Sequence, residues 1–177
     1  MRIINRCLHF FKIPDKKREY FARKLVGFST SQMYKVVADV KNYKKFVPFC
    51  TKSVILSQEP SVLRANLEVG FPPVIENYTS VVSLREPELV SAVCRDGRLF
   101  HVLETTWKFS PGLQSNPQSC IIDFYINFEF KSALYSKLAI FFFDQLVHQM
   151  EDAFIKEAQR RYGKESLPVH PLEPVKS

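Results

Sequence analysis

The side chains able to do chemistry are few and scattered. His101 follows Phe100 at the start of a strand pattern, and His148 sits beside the apolar stripe of a long helix pattern. Either imidazole has the pKa range of a general base, but an isolated histidine in such a place is more often a surface residue or a hydrogen-bonded one. Glu104, Asp123 and Glu129 occupy the wet faces of alternating strands, where carboxylates are solvated rather than paired for acid and base work. Cys7, Cys50, Cys94 and Cys120 stand far apart, with no C-x-x-C pair and no His at zinc-ligand spacing, so no metal site is expected. They read as free thiols of a reducing compartment, since no secretory signal precedes them and a chain of this size needs no staples. Motifs for a nucleophile elbow, a phosphate loop, an H-E-x-x-H zinc site or a catalytic cysteine are absent. The expectation is a protein with no catalytic residues, no metal and no catalytic cofactor.

The elements that would position these residues follow from periodicity. The 177 residues, 46% hydrophobic, suffice for one domain with a full core. Residues 18–28 read as a first strand. Ser29, Thr30 and Ser31 then offer helix caps, and Met33, Val36, Val37 and Val40 recur at three and four residues, which predicts a helix over 30–40. A second short helix over 42–47 must stop before Pro48. Beyond Cys50 the period becomes two for some eighty residues, punctuated by turn clusters at 59–61, 71–73, 86–87, 96–97 and 110–112. That predicts a meander of about six antiparallel strands. Ile122, Phe124, Ile126, Phe128 and Phe130 share one face; Leu63, Ala65, Leu67, Val69 and Phe71, and Leu103, Thr105, Trp107 and Phe109, repeat the pattern. A helix over 132–162 follows, ending at Gly163, with Tyr135, Ala139, Phe142, Phe143, Leu146, Met150 and Ala153 on one stripe. From Glu165 onward three prolines suggest a flexible tail.

The order predicts an α+β, helix-grip architecture: a curved antiparallel sheet of about seven strands wrapped around a long C-terminal helix, with two short helices after the first strand. One helix over so large an apolar sheet leaves room for a cavity lined by Phe, Leu, Val, Ile and Trp, suited to a lipid or another apolar ligand. Residues 43–50, Tyr-Lys-Lys-Phe-Val-Pro-Phe-Cys, stand between helix and sheet, either as the entrance to that cavity or as a plug closing the core.

Charge is unevenly placed. Of the net charge of +7, residues 1–24 carry +6, from eight Lys or Arg against Asp15 and Glu19. A basic surface for nucleic acid is therefore not expected beyond that end. Residues 1–17 read either as a short targeting remnant of mitochondrial type or as a frayed terminus without a role. The longest apolar run, 138–143, is far shorter than the roughly 18 to 20 residues a spanning helix needs.

Residues 43–50, 67–74 (Leu-Glu-Val-Gly-Phe-Pro-Pro-Val), 78–82 (Tyr-Thr-Ser-Val-Val), 96–100 (Asp-Gly-Arg-Leu-Phe) and 107–112 (Trp-Lys-Phe-Ser-Pro-Gly) resemble the mitochondrial coenzyme Q-binding proteins of the START-like polyketide cyclase superfamily. The similarity continues through 128–130 and 142–144 and covers about 17–163. It implies a domain over 18–163 between a lead-in at 1–17 and a tail at 164–177. It also implies non-catalytic binding of ubiquinone, as a lipid carrier or chaperone for the respiratory chain. The implied place is the matrix side of the mitochondrial inner membrane, held peripherally. Implied partners are ubiquinone, the membrane surface and respiratory complexes, with no nucleic acid. Carried over by position, Phe46, Val47 and Pro48 match the pocket mouth, Leu67, Val69, Phe71 and Trp107 the sheet wall, and Phe142, Phe143 and Leu146 the helix wall. The lead-in is shorter than the presequences of the family, a departure that bears on import rather than on binding. The basic end, with Ile140 and Phe141 pointing away from the helix stripe, offers membrane contacts; burial of those two under the first helices is the alternative.

Two other functions belong to the same superfamily. A cyclase or aromatase would need titratable groups on the inward faces, where the sequence offers only Tyr135 and Thr105 as candidates. A ribosome-associated interaction module would need a basic groove interleaved with aromatics, which is missing after Leu25.

Overall fold

The computed structural model describes residues 17–71, 74–98, 100–131 and 133–173. Strand β1 (Lys17–Val26) leads into helix α1 (Thr30–Ala38) and a 3-10 helix (Val40–Lys45). Five strands follow in a meander, β2 (Cys50–Gln58), β3 (Val62–Phe71), β4 (Val74–Arg85), β5 (Leu89–Cys94) and β6 (Phe100–Pro111). Strand β7 (Cys120–Phe130), helix α2 (Ala133–Tyr162) and a short β8 (His170–Leu172) complete the chain. All strands join one antiparallel sheet in the order β2-β3-β4-β5-β6-β7-β1-β8.

Local chemistry sets the boundaries. Ser29 begins α1 with a capping box: its hydroxyl accepts from the Gln32 amide at 3.3 Å, and the Gln32 side chain accepts from the Ser29 amide at 2.9 Å. Helix α1 then buries Met33, Tyr34, Val36 and Val37. The sheet curves where its ladders slip, between Ile55 and Ser57 on β2 and between Phe100 and Val102 on β6. Strand β7 alternates without interruption, burying Ile122, Phe124, Ile126, Phe128 and Phe130 against the concave side. Helix α2 is tied to β1 by Glu151, a buried carboxylate that accepts from Tyr20 at 2.9 Å and pairs with the Lys24 ammonium at 3.0 Å.

Three expectations need correction. The sheet has eight strands rather than seven, because the segment after Gly163 is not a free tail. It runs back along β1, with the Ser166 amide donating to the Gly27 carbonyl at 2.9 Å and His170–Leu172 pairing with Arg23, Lys24 and Leu25. Gly27 permits this approach: a Cβ there would lie 2.5 Å from the Leu167 backbone nitrogen. The stripe of α2 also differs at one position: Leu146 and Met150 face the sheet as inferred and are joined by Val147 and Phe154, whereas Ala153 faces an outer groove. Residues 1–16, with Cys7 and most of the basic lead-in, and the side chains of Tyr135, Ala139, Ile140 and Phe141 lie outside the described residues. Of the cysteines, Cys50, Cys94 and Cys120 are free thiols, as expected.

Candidate functional site: an apolar cavity under the long helix

Between the concave sheet face and α2 lies a cavity of about 380 Å³. Its floor is built by inward positions of β3 to β7, among them Leu67, Val69, Val82, Val90, Trp107 and Ile126, and its roof by Leu146, Val147, Met150 and Phe154 of α2. The 3-10 helix and the turn after it close one side with Val40, Tyr43, Val47, Pro48 and Phe49. Among the lining residues Phe49 and Gln149 are exposed, and Val47, Pro48, Leu146 and Met150 are half-buried, which marks the mouth.

The aromatic frame is rigid. Trp107 stacks on Phe124 with ring centroids 4.2 Å apart and meets Phe154 at 4.8 Å. Phe154 in turn meets Tyr43 at 5.3 Å and Phe46 at 5.4 Å. Such tilted and edge-on pairs add to the burial that already favours large rings in a core.

The polar groups facing the cavity are neutral. Tyr43 donates its hydroxyl to the Val37 carbonyl at 2.5 Å, and burial pushes its phenol well above the usual range. Burial does the same to the phenol of Tyr78. The Cys50 thiol is raised by burial, and that of Cys94 is pushed up to about 11. The register aligns Tyr78 with Leu67 and Ser80 with Ala65 on β3, and Thr105 with Ala92 on β5, so Tyr78, Ser80 and Thr105 offer hydroxyls to the cavity. These are hydrogen-bond donors of fixed charge state, able to meet a carbonyl oxygen. None of the lining groups with a shifted pKa is poised for proton transfer near neutral pH.

Outside the mouth runs a polar groove between the 3-10 helix and α2, which shares Pro48 and Gln149 with the cavity. Arg161 spans it, pairing with Asp39 and Glu157 at 2.7 Å each, and Arg160 also pairs with Glu157 at 2.7 Å. Hydrogen bonding from Arg160 first, and then from Arg161 against the opposing effect of burial, holds the Glu157 carboxyl down to about 2.

The sequence-derived residues divide accordingly. Val47, Pro48, Leu67, Val69, Trp107 and Leu146 line the cavity. Phe46 does not: it faces the outer groove, between Phe154 and the Arg161 guanidinium 5.9 Å from its ring centre. The side chains of Phe71, Phe142 and Phe143 lie outside the described residues. Sequence reasoning missed Tyr43, Tyr78, Ser80 and Phe154 as lining residues. The alternation Tyr78, Ser80, Val82 on β4 carried the signal, masked by two hydroxyls on an inward face.

The carboxylates expected to be solvated pair with cations on the outer sheet face, Asp123 with Arg23 at 3.5 Å and Glu104 with Arg95 at 3.6 Å. His101 is exposed, and His148 sits 3.4 Å from the Tyr20 hydroxyl on the protein surface. Among the described residues no group of His, Cys, Asp or Glu is placed to hold a metal ion.

A curved antiparallel sheet gripping one long helix around an apolar cavity defines the class of START-like lipid-binding domains. The model of the family described as polyketide cyclase / dehydrase and lipid transport matches residues 26–155. The coenzyme Q-binding protein COQ10 homolog B, mitochondrial, of Xenopus laevis is 54% identical over 157 residues, covering 89% of this chain and 64% of that protein. The coenzyme Q-binding protein COQ10, mitochondrial, of Drosophila melanogaster is 49% identical, covering 92% of this chain and 67% of its own length. The ribosome association toxin RatA of Escherichia coli is 33% identical over 139 residues, covering 78% of this chain and 85% of the toxin. The solved structure of the Zhui aromatase/cyclase from Streptomyces superposes with a TM-score of 0.69 at 16% identity, over 82% of this chain and 95% of that one, a likeness of fold. The chain belongs to the polyketide cyclase and lipid transport family and, within it, to the coenzyme Q-binding proteins. It spans 64% and 67% of the lengths of the frog and fly relatives.

Proposed function

We propose that this chain binds coenzyme Q in the cavity beneath α2 without transforming it, as a lipid carrier or chaperone that keeps the quinone available to respiratory electron transport. It works as a peripheral protein on the matrix side of the mitochondrial inner membrane, with ubiquinone and the membrane surface as partners and respiratory complexes as recipients. The domain that does so is 18–163, and Val47, Pro48, Leu67, Val69, Trp107 and Leu146 contact the ligand.

The observation that carries this reading is the chemistry of the cavity wall. Apart from the Gln149 amide at the mouth, it is apolar except for hydroxyls and thiols that stay neutral at cellular pH, which suits a ring bearing carbonyl oxygens and an isoprenoid chain. The names of the frog and fly relatives agree with it. Among the described residues no helix is long and apolar enough to cross a membrane, in keeping with peripheral attachment.

Trp107 is the chain's single tryptophan and lines the cavity, so it reports occupancy directly. Titration with a short-chain ubiquinone should quench its fluorescence saturably, and Leu67→Lys, which puts a charge into the wall, should abolish the saturable part. Quenching that stays linear in both proteins would remove the cavity as the quinone site.

The similarity to the Escherichia coli toxin supports a second reading, association with ribosomes. Only +1 of the net charge lies beyond residue 24, which gives this reading little electrostatic support. Salt-resistant cosedimentation with ribosomal subunits, unaffected by Leu67→Lys, would favour it over quinone binding.

A further inference from the structure

The cavity mouth carries features that a water-soluble ligand would not require. Residues 47–50 form a tight turn closed by the Cys50 amide donating to the Val47 carbonyl at 3.2 Å, with Pro48 second and Phe49 third. Phe49 has φ of 62°, a left-handed conformation that this turn position normally reserves for glycine or asparagine. For a residue with a side chain that conformation is strained. The strain holds an aromatic ring at the cavity rim with 41% of its surface in water.

A second apolar group stands at the same end of the sheet. The Gly70 amide donates to the Phe49 carbonyl at 2.9 Å, and Gly70 is paired with Ile75, which is 61% exposed. Cations adjoin Phe49 along the chain: residues 40–58 contain Lys41, Lys44, Lys45 and Lys52, all exposed, and no acid. Opposing charges are placed beside two of them, Glu68 across the ladder from Lys52, and Asp39, Asp152 and Glu157 in the groove that Lys45 lines.

We propose that the end of the sheet carrying Phe49 and Ile75, with Lys41, Lys44, Lys45 and Lys52 in the adjoining segment, docks on an anionic lipid bilayer with the cavity mouth beside the membrane. The lysines meet lipid phosphates, while the two apolar side chains enter the interface. A quinone ring then passes between bilayer and cavity through that mouth. That last step alone rests on the quinone reading; the docking surface does not.

The test is flotation of the full chain with quinone-free vesicles of phosphatidylcholine, with and without phosphatidylglycerol. Binding should require the anionic lipid and fall at least tenfold in the Lys44→Glu, Lys45→Glu double variant, and several-fold in Ile75→Ser. Phe49→Gly relieves the left-handed strain as it deletes the ring, so vesicle binding should fall while the melting temperature holds or rises. Vesicle binding unchanged in all three variants would overturn the proposal, as would binding equal on neutral and anionic vesicles. Loss of ribosome cosedimentation in the lysine variant with vesicle binding intact would assign the surface to nucleic acid and likewise overturn it. Quinone content, measured separately in Ile75→Ser, should fall with vesicle binding. A parent without quinone would remove the carrier reading and leave the docking result standing.

Discussion

At the scale of single residues, the proposed fit to a quinone rests on a few hydroxyls on an otherwise apolar wall. Tyr78 is the largest of them, buried on β4 beside Leu67 and held neutral by its surroundings. Tyr78→Phe keeps the ring and removes one donor. A net hydrogen bond is worth about 1 kcal/mol, so affinity for ubiquinone should weaken about fivefold in the Trp107 quenching titration, with little change in stability. The sequence made the apolar wall readable, because Leu67, Val69 and Trp107 each fall in strict alternation. It hid Tyr78 and Ser80, because a hydroxyl at an inward position looks like an outward one until the cross-strand register is known. It also hid Phe154: adjacent residues on a helix are separated by about 100°, and the inferred stripe took Ala153 in its place.

At the scale of elements, two ties hold α2 and its neighbours over the sheet. The first is the cluster at the end of α2, where Arg161 reaches Asp39 at the end of α1 and is itself held, with Arg160, by the buried Glu157. Its carboxyl falls from 4.5 to about 2 in the folded protein. A depressed carboxyl stabilises the fold above its unfolded pKa and loses that contribution as pH drops through the folded one. Thermal stability should therefore decline between about pH 4.5 and 2, and Glu157→Gln should be less stable at pH 7 with a shallower decline over that window. The second tie is β8 on β1. Gly27→Val would drive a side chain into the Leu167 backbone, so residues 166–172 should detach, costing about 1 to 3 kcal/mol in urea unfolding. Loss of amide-exchange protection on His170–Leu172 is the direct check. This strand was illegible in the sequence for a physical reason. Its prolines suggest an open tail, and its partner lies near the other end of the chain, beyond any local pattern. Helix α1, by contrast, was legible from Ser29 and the three-and-four spacing of Met33, Val36 and Val37, since capping and burial act within a few residues.

At the scale of the whole molecule, the curved sheet, the helix it grips and the strained turn at the mouth form one device with an inside and a rim. Its interior is too apolar for a charged metabolite. A rim of exposed apolar residues and lysines suits an anionic surface. Burial of apolar area, at roughly 25 cal/mol per Å², favours taking a quinone ring from water but not from a bilayer, so the proposed carrier would have to meet its ligand at the membrane. The central claim is that the cavity holds a quinone in the purified protein. Organic extraction and mass spectrometry of the chain, expressed in a host that makes ubiquinone, tests it beside folded Leu67→Lys and Val47→Lys variants. Ubiquinone in near-stoichiometric amount in the parent and absent from both variants is the predicted result. Equal quinone in all three proteins, or none in a parent recovered from quinone-replete membranes, would contradict it.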